Sequence, residues 1–425
     1  MSLGFYIIMA AQFFSSLADN ALLVAAIALL MQSNSPTWLT PYLKFFFVIS
    51  YVALAPYVGA FADRLPKGQV MLAANTVKIA GCLLMLFDVN PLAAYALVGL
   101  GAAAYSPAKY GIVTEYLPPA KLVVANGWIE GLTVTSIILG TVLGGVLISA
   151  RVSGQLLGVD LPHVDIGIDT PADAAIAVIA FVYAAAAAFN LYVPRTGVAL
   201  KPLPPNPAET LRDFYHCCQR LWTDKLGQIS LAVTTLFWGA GATLQFIVIE
   251  WARAALGFDL SRAAILQGVV AVGIALGAVL AAWRVSLDRA VRVIPLGIAM
   301  GLIVIVMNFV ADVRVAIPLL VAIGGLAGFF VVPMNALLQH RGHNLMGAGR
   351  SIAVQNFNEN ASILVMIAVY SALLGAGFSI YTVIVIFGLF IAGTMTMVLV
   401  WYGRNRRVHR EEIDALLEIA RSEKH

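Results

Sequence analysis

A chain of 425 residues that is 61% hydrophobic and only 11% charged is not a water-soluble domain, which carries about 25% charged residues. Its net charge of +4 includes no contiguous basic patch, so nucleic acid is excluded as a partner. The three cysteines, Cys82, Cys217 and Cys218, make no disulfide framework, and His216 beside the last two has no second ligand pair, so neither metal nor cofactor is expected.

The first residues, MSLGFYIIMAAQ, lack a basic n-region and a cleavage site and run directly into an apolar stretch, which reads as a retained first helix. Apolar runs long enough to span a bilayer occur at about 5–31, 42–62, 69–88, 92–115, 122–149, 173–193, 227–250, 263–283, 292–311, 315–339, 351–374 and 378–402. Between the sixth and seventh lies a polar, proline-rich segment containing KPLPPNP, the composition of a linker. The predicted organisation is an all-α integral membrane protein of 12 transmembrane helices. A six-helix bundle covers 1–193, a linker 194–226, a second bundle 227–402 and a tail 403–425.

With the N-terminus inside, the inner segments hold 19 lysines and arginines and the outer segments 4, so both termini are expected in the cytoplasm. Lys44, Lys78 and Lys109 fall within spans. The acidic loop between spans 5 and 6 (LGVDLPHVDIGIDTPAD) lies outside on this reading. In the tail, Ile413, Leu416, Leu417 and Ile419 recur at helical spacing after the basic RNRRVHR, predicting an amphipathic helix drawn to anionic lipid.

The fourth span carries the least apolar chemistry. Its stretch GLGAAAYSPAKYGIVTE, Gly99 to Glu115, places Tyr105, Ser106, Pro107 and Lys109 in the inner half. A lysine within hydrocarbon costs roughly 2.5–3.5 kcal/mol on insertion scales and marks a substrate or ion path, with snorkelling to the headgroups as the bland alternative. Pro107 removes a backbone donor, so the freed carbonyl needs a neighbouring helix or a wet cavity.

Polar residues elsewhere in the spans repeat at one offset. Pro107 answers Pro333 and Asp19 answers Gln245, both 226 residues on; Asn126 and Glu130 answer Gln355 and Glu359, 229 residues on. Asp19 and Asn20 sit near the centre of the first span, where a carboxylate must be protonated, or paired with Lys109 or a ligand cation. Asn335, two residues after Pro333, and Asn356 complete the set of candidate lining residues. Polar faces on spans 1, 4, 5, 7, 10 and 11 are those of a transporter for an amphiphile or a polar solute. The pairs Gly140/Gly144, Gly273/Gly277, Gly297/Gly301 and Gly324/Gly328 read as helix packing.

After the second span, GAFADRLPKGQVM (Gly59 to Met71) resembles the loop-2/3 signature of the major facilitator superfamily, with Pro66 where a glycine is usual. The resemblance implies the major facilitator fold, two pseudo-symmetric six-helix bundles, and an inner gate at Asp63, Arg64 and Lys67. ADNALL at 18–23, LVGLGAAAYSPAKYGI at 97–112, LFWGAGATL at 236–244, GGLAGFFVVPMNALLQHRG at 324–342 and GAGRSIAVQNFNENA at 347–361 resemble the bacterial lysophospholipid transporters. That resemblance implies a monomeric, non-enzymatic flippase of the inner membrane. It would move lysophosphatidylethanolamine and lysophosphatidylglycerol inward for re-acylation by a separate acyltransferase/acyl-ACP synthetase. Lys109 would attract the phosphate, Asp19 or Glu130 an ethanolamine ammonium, and Asn20, Asn126, Gln245, Gln355 and Asn356 the glycerol and phosphate oxygens. The alternatives are another major facilitator activity, a membrane-embedded acyltransferase and a channel; the two-half design speaks against the last.

Overall fold

The computed structural model describes residues 2–33, 39–117, 119–157, 169–197, 200, 206–346 and 348–422, without some side chains inside helices. The side chains of Asp63, Asn126 and Glu130 are among these, so their predicted roles lie outside the described residues, as do residues 158–168 of the acidic loop after span 5. Every regular element among the described residues is a helix. The chain divides into two compact units, Met1–Leu211 and Arg212–His425.

The first unit contains α1 (Leu3–Gln32), α2 (Thr40–Ala53), α3 (Ala55–Arg64), α4 (Lys67–Leu86), α5 (Pro91–Tyr116), α6 (Pro119–Ile148), the short α7 (Ala150–Leu157) and α8 (Pro171–Leu191). Starts follow local chemistry. Asn90 accepts a hydrogen bond from the Leu92 amide ahead of Pro91, and Thr170 forms a reciprocal capping box with Asp173 ahead of Pro171. The predicted second span is broken: Tyr42–Ala53 and Ala55–Ala62 meet at 65°. Pro56, at the start of α3, lacks an amide hydrogen and disfavours helix at the residue before it, so the helical hydrogen bonding stops there.

The second unit contains α10 (Gly227–Leu256), α11 (Leu260–Arg284), α12 (Ile294–Val306), α13 (Val313–Met346), α14 (Ala348–Gly375), α15 (Ile380–Val408) and α16 (Arg410–Ser422), with α9 (Pro207–Thr223) inside the predicted linker. Phe214, Cys217 and Leu221 of α9 pack with Leu231, Leu338 and Val354, so half of the linker is a docked helix. The tail helix departs from its expected place on lipid. Ile413 is fully buried, and Leu416 and Leu417 pack with it against the core of the second unit, where burial satisfies the apolar face without a membrane.

Ten helices among the described residues are long and apolar enough to cross a membrane, or eleven if the bent pair is one span. The predicted fourth span coincides with α5, a 26-residue helix that falls outside this set because Tyr105, Ser106, Pro107 and Lys109 lower its hydropathy. Large apolar side chains such as Phe181, Trp283, Met397 and Val400 are turned outward, as a protein solvated by lipid requires. The small-residue pairs sit at close crossings. A Cβ on Gly144 would strike the Ala21 carbonyl, one on Gly277 the Gly325 carbonyl, and one on Gly301 the Ala392 amide.

Candidate functional site

In the first unit the charged chemistry gathers where α1, α4, α5 and α8 meet. Ser15 and Asp19, one turn apart, share a face of α1, while Asn75 and Lys78 share a face of α4. The Lys78 ammonium lies 2.8 Å from Asp19 Oδ1 and 2.9 Å from Oδ2, and donates to Ser15 Oγ at 3.0 Å. The Tyr183 hydroxyl donates to Asp19 Oδ1 at 2.6 Å, and the Ser15 hydroxyl donates to Asn75 Oδ1 at 2.7 Å. The rings of Tyr105 and Tyr183 face the ammonium at 5.0 and 5.4 Å. Gly101 of α5 makes the approach possible: a Cβ there would meet Lys78 Cγ at 2.8 Å and the Ala74 carbonyl at 2.7 Å.

Asp19 is therefore paired, but with Lys78 and not with Lys109. An in-span carboxylate seeks a neighbouring cation, and helix packing supplies the one on α4. The sequence signal for Lys78 was its own position, an unlike charge within an apolar span. Lys109 is half-buried, donates to Thr133 Oγ1 of α6 at 3.2 Å and stands over the Tyr110 ring at 5.0 Å. Asn20 folds back on its own helix, donating to the Ser16 carbonyl at 2.8 Å.

At the proposed gate, Lys67 begins α4 and is buried, donating to the Ala62 carbonyl at 2.6 Å and pairing with Glu115 Oε1 at 3.3 Å. The other Glu115 oxygen accepts from Thr196 Oγ1 at 2.9 Å. Glu115 closes the very stretch that stood out in the sequence, yet its pairing with Lys67 went unread. Arg64 is exposed.

In the second unit, three predicted residues come together. Gln355 donates to Asn335 Oδ1 at 2.6 Å and to Glu359 Oε1 at 2.8 Å, joining α13 to α14 in a buried polar cluster. The backbone carbonyl of Gln245 accepts from Gln267 Nε2, and that of Asn356 from Asn360 Nδ2 at 2.7 Å. Sequence reasoning missed the bidentate pair of Arg341 with Asp224, at 2.6 and 3.1 Å, which is buried near the C-terminal end of α13. Arg341 stands 226 residues after Glu115, at the offset of the internal repeat, so each unit ties this helix end through an ion pair, by a half-buried carboxylate in the first and a buried guanidinium in the second.

The profile of the Major Facilitator Superfamily matches residues 8–358. A relative from Yersinia enterocolitica, "Lysophospholipid transporter LplT", is 43% identical over 89% of this chain and 89% of its own. One of the same name from Pectobacterium carotovorum is 42% identical over 87% and 86%. Among solved structures, the human organic anion transporter MFSD10 matches with TM-score 0.68 at 14% identity, over 95% of this chain and all of that one. The fucose:proton symporter FucP of E. coli matches with TM-score 0.65 at 13% identity, over 93% and 97%. These two are likenesses of fold, and they agree with a multi-pass helical membrane protein. Matched over most of its length by the superfamily profile and by these relatives, the chain belongs to the Major Facilitator Superfamily and, within it, to the lysophospholipid transporters LplT.

Proposed function

We propose that the chain is a lysophospholipid transporter of a bacterial inner membrane. It carries lysophosphatidylethanolamine and lysophosphatidylglycerol from the outer to the inner leaflet, where an acyltransferase restores the second chain. The observation that carries this reading is identity of 42–43% over 87–89% of the chain to relatives bearing that name. The polar residues within the spans support it. An amphiphile crossing hydrocarbon has to meet groups that replace its water, and Lys109 offers a cation to the phosphate from α5, a helix that also carries Tyr105, Ser106 and Pro107. Asn20, Tyr105, Gln245, Asn335, Gln355, Asn356 and Glu359 are the further residues to which we assign substrate contact, with Asn126 and Glu130. Asp63, Arg64 and Lys67 are assigned to an inner gate, with the Lys67–Glu115 pair as the contact that has to open. The bundles 1–193 and 227–402 act as a monomer without cofactor. The test is uptake of labelled lysophosphatidylethanolamine by spheroplasts with and without the protein. Uptake that depends on the protein and yields to competing lysophospholipid but not to sugars supports the reading; the reverse competition pattern overturns it.

A further inference from the structure

The surroundings of Lys78 have the chemistry of a receptor for a cation. Three oxygens face its ammonium within hydrogen-bond distance: both Asp19 carboxylate oxygens and Ser15 Oγ. The Ser15 hydroxyl gives its hydrogen to Asn75, and the Tyr183 hydroxyl gives its hydrogen to Asp19, so neither donor competes for the cation. Two tyrosine rings present their faces to it. A primary ammonium has three N–H groups, and the cage offers three acceptors. The Lys78 side chain is 1% exposed whereas that of Asp19 is 21% exposed, so the cation enters from one side and the carboxylate stays reachable from another.

We propose that Ser15, Asp19, Tyr105 and Tyr183 form an ammonium-binding site in which Lys78 is a tethered occupant, exchangeable for an external primary ammonium. The tether explains how a carboxylate in a membrane span stays charged when no ligand is present: the chain supplies its own cation. Within the transport reading above, on which this step rests, the natural ligand of that class is the headgroup ammonium of a zwitterionic lysophospholipid. Such a headgroup displaces Lys78 from Asp19, whereas a glycerol headgroup leaves it in place.

Two measurements test the proposal. In the first, full-length Lys78→Ala protein in detergent is unfolded thermally with ethylammonium or tetraethylammonium chloride at equal ionic strength. Ethylammonium is expected to raise the melting temperature saturably, by about 1–2 °C near ten times its dissociation constant. Tetraethylammonium has no N–H and is expected to give no specific shift. The wild type, where the tethered Lys78 competes for the site, is expected to respond only at a much higher amine concentration, and Asp19→Asn/Lys78→Ala, without the carboxylate, is expected not to respond. Equal shifts with the two amines, or an equal response in the double variant, would overturn the site whether or not the protein moves lipid. In the second, Lys78→Ala and the milder Lys78→Gln are assayed in membranes for both lysolipids. Transport of the glycerol form is expected to fall at least tenfold further than that of the ethanolamine form, because only the latter brings a cation to Asp19. Equal losses would overturn the exchange while leaving the transport reading intact.

Discussion

Single side chains carry the sharpest expectations. An anion entering a low-dielectric path needs a fixed cation, and charge-assisted hydrogen bonds contribute roughly 1.5–3 kcal/mol. Lys109→Ala should therefore weaken lysophospholipid binding by about ten- to a hundred-fold. Lys109→Arg should retain part of it, since the charge survives while the geometry changes. Equilibrium binding of labelled lipid to the purified variants decides this, and normal binding by Lys109→Ala would reduce the residue to one that snorkels. Asp19→Asn strands the buried Lys78 ammonium, and removing one partner of a buried pair costs about 3–5 kcal/mol. Asp19→Asn/Lys78→Ala should be more stable than Asp19→Asn alone, which a thermal unfolding series will read directly. How much of this was legible follows from what a polar residue in an apolar run announces. Asp19, Lys109, Asn335, Gln355 and Glu359 each stand out by type and place. The partners do not, because Lys78 reaches Asp19 across 59 positions of sequence and Arg341 reaches Asp224 across 117. No periodicity encodes such a crossing.

At the scale of helices, packing of small residues is as informative as the polar groups. The crossing of α11 with α13 brings Gly273 against the backbone of Gly324 and Gly325, Gly277 against that of Gly325, and Gly328 against that of Ile274. Backbone cannot yield as a flexible side-chain end does, so Gly277→Leu must push the helices apart. Overpacking of this kind typically costs 1–3 kcal/mol. A lowered melting temperature with Gly277→Leu, and little change with Leu at Gly393, whose added Cβ would meet open space, is the expected contrast. The α9 helix gives a second test. Burial pushes the Cys218 thiol up to about 11, and burial also raises Cys217. The thiolate is the reactive form, so for Cys218 it makes up only about one part in a thousand at pH 8. Maleimide labelling there should be slow, and its rate should rise about tenfold per pH unit towards 11. Fast labelling at neutral pH would mean that α9 leaves its seat. The glycine pairs were readable from spacing alone, and so was an amphipathic pattern in the tail. What the tail's apolar face packs against was not, since lipid and protein accept the same pattern.

For the whole chain the open quantity is the parity of membrane crossings. Among the described residues ten helices are apolar enough to span, and the bent α2–α3 pair makes eleven, a number that would put the two ends on opposite sides. Counting α5 as a span makes twelve and returns the C-terminus to the side of the N-terminus. Two independent features favour twelve. At about 1.5 Å per residue, the 26 residues of α5 reach roughly 39 Å, beyond the ~30 Å of hydrocarbon. The 19-to-4 distribution of lysine and arginine holds only if both ends and the linker share the inner side. The polar residues that lower the hydropathy of α5 are thus the cost of a function carried within a span, not a sign that the helix stays outside. A fluorescent protein that matures only in the cytoplasm, fused after His425, should fluoresce. Alkaline phosphatase, active only outside, should work when fused after Leu157 and stay silent when fused after His425. With α5 outside the membrane these readouts would reverse for every fusion beyond it, given an inner N-terminus, and Lys109 would no longer lie in a lipid path.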